Sequence, residues 1–205
     1  MDREKIIMFG GTFDPIHCGH IQVARAAMKH IEAQQVIWIP ARRSPHKQQL
    51  PLASDSDRLE MIRRVISACP SFTLSDCELN RPEPSYTLDT VLEFRRQFGP
   101  QVELVWLVGA DAVRDLPRWY RISEVMDNCT LAVMYRAGYP KPDFTACKPH
   151  FTHQQIQKLE DSVIPVPLVD ISSTEIRNRL SKGQNVSEML PPEVDEYIKT
   201  RRLYR

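Results

Sequence analysis

Two histidines, His17 and His20, close the run Gly10-Gly11-Thr12-Phe13-Asp14-Pro15-Ile16-His17-Cys18-Gly19-His20. Imidazoles donate hydrogen bonds and exchange protons near neutral pH, so a pair of them suits an anionic ligand. The run follows Ile6-Ile7-Met8-Phe9, a short apolar stretch typical of an interior parallel strand. Gly10 and Gly11 let the backbone turn tightly and approach a ligand closely. Ile21, Ala24, Met28 and Ile31 then recur at helical spacing. His17 and His20 therefore fall at a helix start, near one face of its first turn. Free N–H groups and the positive end of the helix dipole point the same way. The expected chemistry is a phosphate site with imidazoles aimed at it. The spacing is neither the GxGxxG of a dinucleotide turn nor a P-loop, and the histidines are not the i, i+4 pair of a zinc-binding HExxH.

Other constellations complement this one. Ser172, Ser173 and Thr174 open a helical segment with Glu175 and Arg177. Ser172 with Glu175 fits a capping box, but three hydroxyls and an arginine exceed what a cap requires. Such a helix start binds phosphate, with Arg177 one turn in to hold anionic oxygens. Gly109 and Asp111 end an apolar run, where the carboxylate either caps a helix or accepts bonds from ribose hydroxyls. Trp119, on a short helix after Pro117, could stack on a flat ligand. Ser85-Tyr86-Thr87 offers an aromatic face, hydroxyls and a helix start. Arg42-Arg43-Ser44-Pro45-His46-Lys47 is either a solvated loop or a polyanion contact. No nucleophile–base pair stands out. The residues provide positioning and charge stabilisation, which suits direct in-line displacement at phosphorus; transfer of a nucleotidyl group would ordinarily involve Mg²⁺ on the phosphates.

The elements that must position these groups alternate. Apolar runs predict strands at 5–9, 35–40, 72–75, 102–108, 130–135 and 163–168. Amphipathic stretches predict helices at 18–33, 55–68, 86–98, 111–116, 119–126, 153–160, 173–182 and 191–200. Alternation implies a doubly wound, Rossmann-like parallel sheet of about six strands in three α/β/α layers, joined by right-handed crossovers. Strand one is central in that arrangement, and ligands bind at the carboxyl ends where strand order reverses. Two long loops, 41–54 and 136–150, follow strands and hang over the same edge; loops of such length are usually functional or mobile.

Bulk properties narrow the class. The 205 residues, 42% hydrophobic and 26% charged, suit one substantial globular domain spanning 1–205, with 171–205 a helical part completing the phosphate site. A formal charge of +1 argues against nucleic-acid binding. The absence of a long apolar run or signal peptide argues for a cytoplasmic protein without a membrane segment. Cys18, Cys69, Cys77, Cys129 and Cys147 form no CxxC pair and read as reduced, mostly buried thiols. Cys147, His150 and His153 form a C-x2-H-x2-H run, read as a surface accident rather than a zinc site, so no metal is expected on protein side chains. A homo-oligomer stays open.

The motifs resemble the nucleotidyltransferase superfamily marked by (T/H)xGH, here His17-Cys18-Gly19-His20. With Pro45-His46-Lys47, Ser85-Tyr86-Thr87, Gly109-Ala110-Asp111, Trp119, Ser172-Ser173-Thr174-x-Ile176-Arg177 and the closing Leu-Pro-Pro-Glu-Val…Tyr-Ile…Leu-Tyr, the whole chain looks like the bacterial nicotinate mononucleotide adenylyltransferases. The resemblance implies ATP plus nicotinate mononucleotide giving deamido-NAD and pyrophosphate, in NAD biosynthesis. It implies that Gly10, Gly11, Thr12, Phe13, Gly109, Asp111, Ser172, Ser173 and Thr174 bind ATP. His17 and His20 would stabilise charge on its α-phosphate, while Lys47 and Arg177 would hold the β- and γ-phosphates. Ser85, Tyr86, Thr87 and Trp119 would form the nicotinate pocket, with Mg²⁺ carried by ATP. Ser44 stands where the family often has Pro, and Ile21 where it often has Leu. A preference for the nicotinamide mononucleotide, or a silent nucleotide sensor, remain the alternatives.

Overall fold

A computed structural model describes residues 3–45, 49–136, 140–167 and 169–205; Lys47 lies outside the described residues. Six strands form one sheet: β1 Lys5–Gly11, β2 Gln35–Pro40, β3 Phe72–Leu74, β4 Glu103–Gly109, β5 Thr130–Arg136 and β6 Val163–Val166. Their order is β3-β2-β1-β4-β5-β6, so β1 sits where the order reverses. The helices are α1 Cys18–Ile31, α2 Asp55–Ile66, α3 Thr87–Phe98, α4 Ile122–Asn128, α5 His153–Asp161, α6 Ser173–Leu180 and α7 Pro192–Arg201. The sheet is parallel with helices on both sides, the Rossmann-like α/β arrangement that alternation predicts. No described helix is long and apolar enough to cross a membrane.

The differences from the sequence expectation lie at breakers. The helix predicted at 111–116 is a 3-10 helix, Ala110–Arg118, containing Pro117. Proline cannot donate to an α ladder, and the tighter turn suits a short connector. The helix predicted from 119 starts instead at Ile122, after Arg121 takes a left-handed φ of 49°. Trp119 is thus not on a helix; it ends the 3-10 segment with extended backbone (φ −68°, ψ 139°). A further 3-10 turn, Thr145–Cys147, falls within the predicted long loop. There the buried Cys147 thiol donates to Val113 O at 3.4 Å. No group of His, Cys, Asp and Glu among the described residues is arranged to hold a metal. All five cysteines are free, and burial pushes the Cys129 thiol up to about 12.

The chain divides into two compact units. The first comprises Met1–Phe9, Ala26–Val36 and Tyr86–Leu168. Its core is the apolar centre of the sheet: Ile6, Ile7 and Met8 of β1, Leu104–Val108 of β4 and Leu131–Val133 of β5, all buried. The register is parallel, with Ile7 opposite Val105 and Leu107 opposite Ala132. Continuous apolar strands of this kind are buried on both faces. Arg95 locks the end of α3 by donating to the carbonyls of Gly99, Val102 and Asn128 at 2.6–3.2 Å.

The second unit comprises Gly10–Arg25, Ile37–Ser85 and Val169–Arg205. Its core stacks Phe13, Trp38 and Phe72 edge to face, with ring centroids 5.3 and 5.6 Å apart. Ser54 caps α2, its hydroxyl accepting from Asp57 N. Tyr197 and Arg201 of α7 donate to the Asp57 carboxylate at 2.8 and 3.4 Å. Burial opposes ionisation of Asp57, but these hydrogen bonds, that from Ser54 and the Arg201 charge together hold it below the usual carboxylate range.

Arg58 is fully buried and donates to Thr12 O at 2.7 Å, Ala41 O at 2.8 Å and Asp55 Oδ1 at 2.6 Å. It fastens the chain leaving β1 to the chain leaving β2. Replacing it with Met strands the part-buried carbonyls of Thr12 and Ala41 and removes the partner of Asp55. Arg58→Met should therefore destabilise by about 3–5 kcal/mol in urea unfolding. Arg179→Met, which breaks only the exposed pair with Glu175, should cost less than about 1 kcal/mol. Equal losses would contradict the role given to Arg58.

Candidate active site

Between the end of β1 and the start of α1 the chain makes the turn Thr12–His17. Phe13 takes a φ of 48° and folds its ring back under the turn, 2% exposed. A Cβ on Gly11 would come within 2.8 Å of that ring, so the glycine makes room for Phe13. The Phe13 ring in turn meets His20 edge-on, with centroids 5.0 Å apart. The local sequence thus builds an aromatic floor under the histidines.

His17 and His20 stack, with centroids 3.7 Å apart and planes 25° from parallel. The His17 N–H donates to His20 Nδ1 at 3.3 Å, which assigns the His20 proton to Nε2 when that ring is neutral. Gly19 is needed between them. A Cβ there would lie 3.0 Å from His17 Nδ1 and 3.0 Å from Val169 Cγ1. Burial lowers the His17 pKa to about 4, so this imidazole is neutral at pH 7. Its Nδ1 is buried without a hydrogen-bond partner among the described residues.

The helix start is less open than the sequence implied. Cys18 N–H donates to Met189 O at 3.0 Å, and His20 N–H to His17 O at 3.0 Å. These two amides are engaged by the protein itself.

Facing this turn in the same unit is the start of α6. Ser172 caps it by accepting from Glu175 N at 3.1 Å. Glu175 bonds Arg179 Nε at 2.7 Å through its carboxylate, so the interaction seen is the Ser172 cap and an exposed ion pair. Ser173 Oγ donates to Pro15 O at 3.0 Å, and Arg177 Nη1 to Asp14 O at 2.7 Å. Thr174 Oγ1 accepts from Arg177 Nη2 at 3.2 Å. The hydroxyl cluster that exceeded a cap therefore stitches α6 to the 12–17 turn and sets the Arg177 guanidinium beside it.

Residues that sequence reasoning missed lie beneath. Asp14 is 3% exposed, and its carboxylate accepts from Leu52 N at 2.8 Å, Ala53 N at 3.1 Å and Tyr204 OH at 2.7 Å. Asp14 and Tyr204 stand in motifs that give them no role, and Arg58 stands in none; only its place as a polar residue beside the apolar stripe of Leu59 and Ile62 hints at burial.

Ser85 is also placed in the second unit. Its Oγ accepts from Arg42 N at 3.1 Å, and its N–H donates to Arg43 O at 3.0 Å. Arg42 and Arg43 pair with Glu83 at 3.7 and 3.5 Å, so part of the basic loop's charge is already balanced.

The first unit holds the other predicted residues. Tyr86 precedes α3 with no side-chain cap, and Thr87 is the first residue of that helix. The Tyr86 ring lies against Tyr120, with centroids 4.5 Å apart. Tyr120 is 47% exposed, an aromatic face the sequence reading did not single out. Trp119 is half-buried beside it in sequence. The Asp111 side chain folds back over Gly109, where a Cβ would collide with its carboxylate.

A stacked histidine pair on a turn between a central strand and its helix is accompanied by likeness to known proteins. The cytidylyltransferase-like family matches residues 8–179. A protein of Thermus thermophilus named "Probable nicotinate-nucleotide adenylyltransferase" is 40% identical over 98% of this chain and 100% of its own length. A protein of the same name from Rhodopirellula baltica is 35% identical over 97% of this chain and 92% of its own.

The chain belongs to the nicotinate-nucleotide adenylyltransferase family.

The fold is also that of a solved structure, the Plasmodium falciparum nicotinic acid mononucleotide adenylyltransferase complexed with NaAD. Its TM-score is 0.73 at 19% identity, over 98% of this chain and 97% of that one. Within this adenylyltransferase family member the buried His17 has a measurable signature. Its folded pKa of about 4 lies below the unfolded value near 6.5, so the unfolded chain takes up a proton that the folded chain refuses. Stability is then fully present above pH 6.5 and lost as pH falls toward 4, by roughly 3 kcal/mol in all. Unfolding free energies at pH 7 and 5 should differ by about 2 kcal/mol from this residue. His17→Asn should remove that part of the slope; an unchanged slope would mean that His17 is not held neutral.

Proposed function

We propose that this chain transfers the adenylyl group of ATP to nicotinate mononucleotide, yielding deamido-NAD and pyrophosphate in NAD biosynthesis. The observation that carries the reading is the stacked His17–His20 pair under the α6 clamp, in a chain whose relatives across nearly its full length are named for this reaction. A phosphate oxygen of the mononucleotide attacks the α-phosphorus of ATP in line. The bond to the oxygen bridging to the β-phosphate breaks, and pyrophosphate leaves with that electron pair. No enzyme nucleophile is required, so catalysis falls to positioning and electrostatics.

The resemblance and the chemistry of the residues support the following roles. His20, with Nε2 as its protonated nitrogen, donates to α-phosphate oxygens as charge gathers there, and neutral His17 supports it by stacking and by its own hydrogen bonding. Arg177 and Lys47 hold the β- and γ-phosphates. Gly10, Gly11, Thr12, Phe13 and the residues Ser172, Ser173 and Thr174 shape the phosphate side, so that 171–205 completes it. Gly109 and Asp111 receive the ribose. Mg²⁺ carried on ATP would supply neutralisation of phosphate charge, with no protein side chain assigned to hold it.

Tyr86, Thr87 and Trp119, with Ser85, form the pyridine pocket. A helix start without a side-chain cap, as at Thr87, offers N–H donors to a carboxylate. That favours the acid mononucleotide over the amide, which needs a donor and an acceptor together.

Pyrophosphate should therefore appear from ATP only when nicotinate mononucleotide is present, and much more slowly with nicotinamide mononucleotide. His20→Ala should cut kcat by about 10²–10⁴-fold with the fold intact by circular dichroism. Near-normal turnover in that variant would remove His20 from the chemistry. ATP binding in calorimetry without turnover on either mononucleotide would instead favour a nucleotide sensor.

A further inference from the structure

The sequence match ends on Leu203-Tyr204, a motif to which the reaction assigns no task. In the structure this segment reaches under the phosphate turn. Arg202 caps α7 with a φ of 55°, and Tyr204 itself takes 63°. Residues other than glycine rarely occupy this region, and two within three positions persist only where the surroundings over-determine them. Here the determining contact is the Tyr204 hydroxyl on Asp14 Oδ1, at 2.7 Å. Burial, then the Asp14 charge, push the phenol well above its ordinary value, so it stays a donor.

Asp14 is the junction. Its carboxylate takes Tyr204 OH and Ala53 N–H on Oδ1 and Leu52 N–H on Oδ2, while its carbonyl takes Arg177 Nη1 at 2.7 Å. The guanidinium lies 4.0 Å from Asp14 Oδ2, close enough to compete for the carboxylate but directed to the carbonyl. We propose that Tyr204 is a positioning residue for ATP: by filling Asp14 Oδ1 beside Ala53 N–H it weakens the carboxylate's pull on the neighbouring guanidinium, so that Arg177 stays on the Asp14 carbonyl and available to the nucleotide's phosphates. Without the phenol, Asp14 Oδ1 retains a single donor, and the cheapest replacement is the neighbouring guanidinium. Arg177 then turns onto the carboxylate and away from anionic ligand. This rests on the reading of Arg177 as a phosphate ligand.

The unit supplies its own control. Tyr197 makes the same bond, phenol to buried carboxylate, at Asp57 and 2.8 Å, where no proposed ATP ligand is attached. Tyr204→Phe should raise the KM for ATP, and the ATP dissociation constant in calorimetry, by about ten-fold, the worth of one hydrogen bond to a charged group. The KM for nicotinate mononucleotide should stay within about two-fold. Tyr197→Phe should lower Tm comparably without that selectivity. In an Arg177→Lys background, Tyr204→Phe should add little to the ATP defect, because both act through one group.

Equal effects of Tyr204→Phe on both substrates, no effect on either, or full additivity with Arg177→Lys would each overturn the proposal. Failure of the wild-type chain to release pyrophosphate would sink the reading of function instead. The calorimetric comparison of ATP binding would still decide the role of Tyr204.

Discussion

Desolvating a guanidinium and a carboxylate in one small region is costly unless each finds several partners, and that requirement shapes the second unit. Arg58 meets it by gripping the carbonyls of Thr12 and Ala41. Asp14 meets it by collecting two amides and a phenol. The donors and acceptors come from the exits of β1 and β2, from the start of α2 and from the segment after α7. The 12–17 turn is therefore fastened by several bonds to buried and part-buried groups. His20 and Arg177 are held to it as well, by His17 N–H on His20 Nδ1 and by Arg177 Nη1 on Asp14 O. Preorganisation of this kind is what an electrostatic catalyst requires, since donors already in place need not reorganise as charge develops.

The histidine pair shows how burial assigns roles to two identical side chains. Rings stacked at 3.7 Å would repel if both were protonated. Burial settles the matter by keeping His17 neutral. The Nδ1 of His20 is occupied by the His17 amide, which leaves the proton of the neutral ring on Nε2. Gly19 permits the arrangement, because any side chain there would strike the His17 ring. The glycine between the histidines thus serves their packing as much as any ligand.

Much of the fold was legible because its signals are local. Apolar runs marked β1, β2, β4 and β5, and the helical stripes of α2 and α3 fell within a residue or two of their observed bounds. The reading slipped where a backbone state decides the outcome. Arg121 adopts a left-handed conformation that its residue type does not advertise, and Pro117 holds the preceding turn in a 3-10 form. Trp119 consequently ends a 3-10 helix instead of riding an α-helix. The sequence correctly puts His17 and His20 where β1 passes into α1. The layer beneath them was not legible. Asp14, Arg58 and Tyr204 are polar residues whose importance comes from partners far away in the chain, and no periodicity encodes that. The surplus hydroxyls at Ser173 and Thr174 stand out in the sequence, but their bonds to Pro15 and Arg177 arise only from the folded arrangement.

The bonds that fasten the phosphate turn join residues 158, 163 and 190 positions apart. Contacts of such separation close very large loops and recover their entropy only late in folding. The strands of the first unit span shorter distances, with β4, β5 and β6 and their intervening helices consecutive along the chain. Folding should therefore order this sheet segment before the phosphate turn is stitched. A chain caught between those stages would carry a formed sheet and an unassembled turn, and neither substrate could rescue it until the most distant segments met.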